Sequence, residues 1–310
     1  HLLRIDNNPR MRVGYRRFLE LINRNKPIGM SGYYSMLPST NVNRGTTQTV
    51  FNTSLGEFVI DESSQATSGI GLVLGFSGYA RHPLSAGQRV VLNRGISATR
   101  YETDNLNNLD TNLALVYERA TRTGRWFLSP YYRKTSRPEN ASHRLQGLRL
   151  GMNSRLTVQD QLNFTLLRER RIFPNHLHLE GPFCLNLSHQ LSPSRSIQLG
   201  LGVERSSPQS EHLRYVGTKV SLSTKQDWQG GLQTSFGLEL GQHDFVGNYP
   251  LTNSPRADDF SRLNATLQHA RVEFFGYRPS LSCLHHINRS NVVFYDYKVT
   301  ECRITVSRNF

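Results

Sequence analysis

The chain has 310 residues, 37 Lys and Arg against 23 Asp and Glu for a net charge of +14, and only 37% hydrophobic residues. Its longest apolar run, Ile70–Phe76 (IGLVLGF), contains two glycines and falls far short of the ~18 residues of a membrane helix, so helical spanning is excluded. The cations are scattered apart from Arg168, Arg170 and Arg171, which argues against a nucleic-acid tail and suits the loops and lumen of a barrel beside anionic lipid.

The first element is a helix. Arg10–Asn25 places Met11, Tyr15, Phe18, Leu19 and Ile22 near one face, with Asn7 or Asn8 as cap and Pro9 in the first turn. So short a segment cannot bury a core of its own. Residues 1–26 are therefore expected to close a larger upstream region or to dock on one end of the downstream domain. The chain starts at His1 without the basic, apolar and small-residue zones of a signal peptide, and reads as a mature or truncated product.

From Pro27 onward the period is two. Ile70, Leu72, Leu74 and Phe76 alternate with Gly69, Gly71, Val73 and Gly75. Leu162, Phe164 and Leu166 alternate with Gln161, Asn163 and Thr165, and Ile197, Leu199, Leu201 and Val203 alternate with polar residues and glycine. Leu232, Phe236, Leu238 and Leu240 repeat the pattern. One greasy face and one small or polar face fits a soluble sandwich or a membrane barrel; length and connections separate the two. Fourteen strands are expected, at 28–42, 67–81, 88–100, 109–120, 125–135, 144–153, 160–168, 180–189, 196–205, 212–223, 231–241, 259–269, 276–285 and 300–310. Many reach the ~9–11 residues of a tilted bilayer crossing, against ~5–6 for a soluble strand.

The links alternate. Short ones are expected around Arg81–Gln88, Thr121–Gly124, Ser154–Gln159, Gln190–Arg195, Thr224–Gly230 and Ala270–Phe275, and longer ones at Asn43–Ala66, Arg168–Leu179, Gln242–Asp258 and His286–Thr300. Short turns on one side and long loops on the other mark an outer-membrane barrel, and an even strand number brings both chain ends to the periplasm. Residues 27–310 are thus expected to form an all-β, 14-stranded antiparallel transmembrane barrel behind a short N-terminal helix. The last strand, Thr300–Phe310, alternates and stops on Phe310, the ending that barrel-insertion machinery reads; Ile304, Val306 and Phe310 are the expected insertion signal.

Trp126, Phe127, Tyr131, Tyr132, Trp228, Phe274, Phe275 and Tyr277 fall near strand ends, where interfacial girdles sit. Cys184, Cys283 and Cys302 are odd in number and lack CxxC spacing. Cys283 and Cys302 can lie on neighbouring strands, but free thiols are the expectation and no disulfide framework is implied. No chemistry stands out. Gly69, Gly71 and Gly75 lie inside a strand rather than before a helix. His176, His178, His285 and His286 lack supporting ligands, Asp258–Asp259 lacks a calcium-loop pattern, and no Gly-x-Ser-x-Gly elbow occurs. No catalytic residue, metal or cofactor is expected.

The chain's ends carry a resemblance. Asn8–Arg44 resembles the junction between the last tetratricopeptide helix and the first barrel strand of the surface lipoprotein assembly modifier family, most specifically at Asn41-Val42-Asn43-Arg44. Ser290–Phe310 is similar to that family's ending, through Ser290-Asn291, Tyr295-x-Tyr297-Lys298 and Arg308-x-Phe310. The middle matches only as generic barrel. The resemblance implies a barrel in the bacterial outer membrane behind a periplasmic helical-repeat domain, most of which this sequence lacks. It also implies a non-enzymatic factor that helps lipoproteins or other cargo reach the cell surface. Cargo, barrel-assembly machinery and outer-membrane lipid are the implied partners; nucleic acid is not. Glycines 200, 202, 237 and 241 are expected to leave lumen space or permit curvature, and the seam between first and last strands is where cargo is expected to engage. A passive porin, a polysaccharide exporter and, last, a barrel enzyme are the rivals.

Overall fold

The computed structural model describes residues 26–309, except 54–55, 139–141, 174–176, 251 and 253, together with Met11, Gly14, Tyr15 and Phe18. Those four are helical; the rest of the expected helix, and Phe310, lie outside the described residues.

Fourteen antiparallel spans close on themselves. They begin with β1 (Ile28–Ser39), after which β2 (Val50–Thr53) and β3 (Gly56–Val59) form a separate hairpin in the first loop. The barrel continues through β4 (Gly69–Ser85), β5 (Gln88–Arg100), β6 (Asn108–Ala120), β7 (Gly124–Ser136), β8 (His143–Arg155) and β9 (Asp160–Ile172). The chain then enters β10 (Leu177–Glu180) and β11 (Phe183–Ser192). These two keep one register against β9 and against β12 (Arg195–Pro208), so they are a single span interrupted at Gly181–Pro182, where the proline has no N–H for the ladder. The span remains tied by Gly181 N to Arg205 O at 3.0 Å and by Leu167 N to Pro182 O at 2.9 Å. β13 (Tyr215–Asp227), β14 (Leu232–Asn248), β15 (Pro255–His269), β16 (Arg278–Ser290) and β17 (Tyr297–Asn309) complete the wall, and β17 pairs with β1.

The burial pattern is inverted relative to a soluble domain. Leu74 is 66% exposed and Leu201 53%, while inward Val73 is 5% and Ser35 0%. Registered outward neighbours such as Met36, Leu72 and Ile304 form a continuous apolar belt. Leaving each such side chain in water forfeits about 1.5–3 kcal/mol. Repeated over every span, that is a loss no 310-residue chain sustains in water. Closure removes every edge, as a β structure in hydrocarbon requires.

Several expectations are corrected. β1 stops at Ser39 rather than Val42, because Pro38 and the turn at Asn41 end the ladder. The spans run further than the apolar period, so the loops expected at Arg168–Leu179, Gln242–Asp258 and His286–Thr300 shrink to 173–176, 249–254 and 291–296. Polar strand residues beyond the belt keep pairing where hydropathy gives no signal. The asymmetry between the turn end and the loop end rests mainly on the first loop, 40–68. Cys283 and Cys302 are directly opposed on β16 and β17 and form a disulfide, while Cys184 is free. They share the outward face of Leu281 and Ile304. Spacing of 19 residues could not show this, because it depends on hairpin register.

Aromatic placement is also mixed. Trp126 and Tyr132 face outward, and Trp228, Phe274 and Phe275 are exposed at the turn end. Phe127 and Tyr131 instead point inward, over Gly151 and Gly147. The lumen glycines do not leave open space. Ser221 and Asn186 fill the notch at Gly200, Lys219 that at Gly202, Asn264 that at Gly237 and Phe260 that at Gly241. A ring laid over a strand glycine packs the wall from inside. Gly151→Leu is therefore expected to evict the Phe127 ring and destabilise the barrel by about 1–3 kcal/mol, read as a lower denaturant midpoint in detergent.

Candidate functional site

The residues marked at the two chain ends converge on one place, the loop end of the β1–β17 seam. The ladder pairs Ser31↔Asn309 through Met36↔Ile304, passes over Leu37 and Pro38, and resumes at Ser39↔Glu301. Pro38 contributes no donor. The inner side is tied by Ser35 Oγ and Thr305 Oγ1 at 2.8 Å. The outer side carries Tyr34, Met36 and Ile304, all exposed, with Val306 opposite Tyr34.

Above the gap, the first loop grips β17. Thr40 N donates to Thr300 O at 3.0 Å, and Thr300 N donates to Thr40 Oγ1 at 2.9 Å. Asn41, only 2% exposed, donates from Nδ2 to Lys298 O at 3.1 Å and to Gly45 O at 2.8 Å, and its Oδ1 accepts from Gly45 N at 2.9 Å. One amide thus spans the seam and folds its own loop, which uses both its donor and its acceptor. Asn43 extends the clasp: Nδ2 donates to Gln65 O at 2.7 Å, and Oδ1 accepts from Thr67 N at 3.1 Å. Arg44 follows with φ at 52°, a left-handed conformation that costs about 1–2 kcal/mol for a non-glycine residue. It lies close enough to act on Tyr101 beyond β5. Burial and then Glu301 push that hydroxyl up, while Arg303, Arg44 and Arg137 oppose them.

The last loop supplies the other half. Ser290 Oγ accepts from Val292 N, and Asn291 bridges to β15 through Ala257 N and Pro255 O at 2.8 and 2.9 Å. Tyr295 stacks under the Arg256 guanidinium, 3.2 Å from ring centroid, and that guanidinium is ion-paired with buried Asp258. Tyr297 packs edge-on against His286. Phe51 of β2 meets Phe294 of the last loop at 5.0 Å, and Phe51, Ile60 and Val292 are buried. The first and last loops therefore share a small apolar core. Sequence reasoning missed Phe51, Ile60, Val292 and Phe294, since partners some 243 positions apart leave no periodic signal. Ile304 and Val306 lie on the outer face of the seam.

Burial, then the neighbouring Tyr295 hydroxyl, pushes the Tyr249 hydroxyl up to about 12. Its neutral form is the one that packs, so the contribution is intact below the ordinary value of 10 and lost as pH rises through about 12. Ultraviolet titration of Tyr295→Phe is expected to bring that late ionisation down.

Inside the wall, Glu239 holds Lys219 at 3.2 Å and Arg262 at 2.6 Å, and Glu204 holds His243 at 3.1 Å and Tyr215 at 3.0 Å. Each is partly open to solvent and worth about 1 kcal/mol or less. His189 meets Asp160 at 2.7 Å at the turn end. Among the described residues, neither His–carboxylate pair has a serine hydroxyl bonded to its histidine, and no three metal-ligating side chains cluster. His178 lies beside Phe173, and His285 bonds Thr300 Oγ1; His176 is outside the described residues.

A closed antiparallel wall, a lipid-facing belt and a polar, ion-paired lumen define an outer-membrane β-barrel. The solved structures it matches agree in fold. OmpT of Vibrio cholerae shares 7% identity at a TM-score of 0.51, covering 91% of this chain and 97% of that one. OmpF of Salmonella typhi, solved with daunomycin, shares 7% at 0.50 over the same shares of each chain. No curated protein matches. The sequence profile of the surface lipoprotein assembly modifier family matches residues 29–310. The chain belongs to that family.

Proposed function

We propose that this barrel is a non-enzymatic export factor that helps lipoproteins or other cargo proteins pass the bacterial outer membrane. Family membership across residues 29–310 carries the reading. The turn end, where β1 begins and β17 ends, faces the periplasm, and the clasped loops face outward. Cargo engages at the β1–β17 seam or in the lumen beside it. The role calls for no catalytic residue; it needs a wall that can part or a lumen that can hold an incompletely folded chain. The gap at Pro38 and the clasp at Asn41 supply a place where the wall is weaker and a device that holds it shut. The outward face of β17 serves the barrel-assembly machinery during insertion.

The test is surface protease shaving of a Gram-negative host that makes a lipoprotein encoded nearby, with and without the full-length protein. Cleavage only when the barrel is present, with membrane integrity unchanged, supports export. Equal cleavage in both, with the protein correctly inserted, removes it. A porin is the second reading, favoured by an open cavity at the turn end; reproducible conductance steps in planar bilayers would favour it.

A further inference from the structure

The turn half of the lumen differs in charge from the loop half. In the loop half, Glu239, Glu204 and Glu180 each sit beside a cation or an imidazole. Towards the turns, a cavity of about 1190 Å³ opens, lined by Lys26, Arg81, Arg122, Arg125 and Arg155 and by no carboxylate. Of the acids beside the lining, Glu118 is shared between Arg89 and Arg125, and Asp160 bonds His189 and Thr157. Among the described residues, Lys26, Arg122 and Arg155 have no carboxylate within ion-pairing distance. Like charges around one cavity build a positive potential that a counter-charge relieves, and a low-dielectric wall around them focuses the field outward.

We propose that this vestibule receives an acidic, extended segment of the cargo polypeptide. The inference rests on the export reading and adds what the barrel recognises first. Three observations select a peptide. The cavity exceeds the ~300–1,000 Å³ of small-molecule sites, and its cations are spread from the start of β1 to the β8–β9 turn, too wide for one small anion. Asn93, Asn112 and Asn153 stand between them on the inward faces of β5, β6 and β8. A carboxamide offers both a donor and an acceptor, the pair that an extended backbone presents. The strand cations Arg81, Arg125 and Arg155 stand on inward faces, away from the belt, which favours an occupant in the lumen over lipid headgroups. Lys26 lies two residues before β1, so the chain's own entry into the barrel shares the rim.

The experiment measures binding of a fluorescent oligoglutamate peptide to the detergent-purified protein by anisotropy. A Ser-Gly peptide of equal length is the control. Lys26→Glu, Arg122→Glu and Arg155→Glu together are expected to weaken oligoglutamate binding by about tenfold or more, and ~0.5 M salt to do the same to the parent protein. These positions are at the rim, and a gel-shift on heating verifies that the variant barrel is folded. Arg122→Gln with Arg155→Gln is the milder fallback and is expected to give a smaller loss. Equal affinity in parent and variant overturns the proposal. So does complete competition by millimolar inorganic phosphate, which would mark a small-anion site. In the shaving assay, a variant that displays cargo as well as the parent sinks this inference while export stands. A parent that displays nothing sinks the export reading itself, whatever the peptide does.

Discussion

Cross-linking β1 to β17 is expected to stop cargo display without disturbing the barrel. Met36 and Ile304 are registered partners on the outer face of the seam, and directly opposed strand residues lie ~4.5–5.5 Å apart, within reach of a disulfide. Met36→Cys with Ile304→Cys, on a Cys184→Ser background, fastens the wall just below the Pro38 gap. If the wall parts there, oxidation removes the open state, and surface cargo falls by about tenfold or more. A bilayer-permeant phosphine, which reduces a disulfide without a thiolate nucleophile, restores it. Because Ile304 belongs to the expected insertion signal, display is compared between the oxidised and reduced forms of the same inserted variant, with heat-shifted mobility as the check that it is folded. The same pair placed at Leu72 and Arg100, across β4 and β5, is the control and should leave display intact. Undiminished display from the oxidised seam variant would refute passage through the seam and leave the lumen as the route.

The second large effect is expected at Asn41. Asn41→Leu keeps the branched shape and removes the amide, stranding Lys298 O, Gly45 O and Gly45 N in a buried setting. Each unpaired buried group costs about 1–3 kcal/mol, so the clasp loosens by about 3 kcal/mol or more. The first loop then releases the last, and Phe51 loses Phe294. Limited proteolysis within 46–68 is the direct readout, with hydrogen exchange at Thr40 and Thr300 as the second. Asn41→Asp retains acceptance from Gly45 N but turns a buried carboxylate oxygen on Gly45 O and Lys298 O, and should loosen the loop at least as much. A protease-resistant first loop in Asn41→Leu would show that the apolar core alone holds the mouth.

Much of this wall could be read from the sequence because lipid and a wet lumen impose opposite demands on successive residues. Ile70, Leu72, Leu74 and Phe76 fix both the period and the outward face of β4, and the even count of such runs predicts closure. What escaped has a physical reason in each case. Tyr131 and Tyr132 are adjacent, so one must face inward; the choice depends on Gly147 across the ladder. The glycines that looked like empty lumen are notches for residues on other strands, visible only once register is known. Strand ends at Asn248 or Ile172 lie beyond the belt, where pairing continues without apolar signal. Asn41, Asn43, Asn291 and Tyr295 stood out only through resemblance, since nothing in a polar loop announces that its amide will meet a carbonyl some 257 positions away.

The Cys283–Cys302 bond has a consequence for the order of assembly. Forming or exchanging a disulfide requires a thiolate, and a thiolate is not stable against hydrocarbon. Both sulfurs lie on the belt face, at the level of Pro38 and Ile70. Their oxidation therefore precedes immersion: β16 and β17 are joined while still in water, in an oxidising compartment, and enter the bilayer as one stapled hairpin. Once the wall is complete the bond is shielded from soluble reductants, and pulse-labelling of unassembled chains should find it already closed. The chain's final strand thus never acts alone. Whatever motion the seam allows belongs to β1, or to β16 and β17 swinging together as a single leaf.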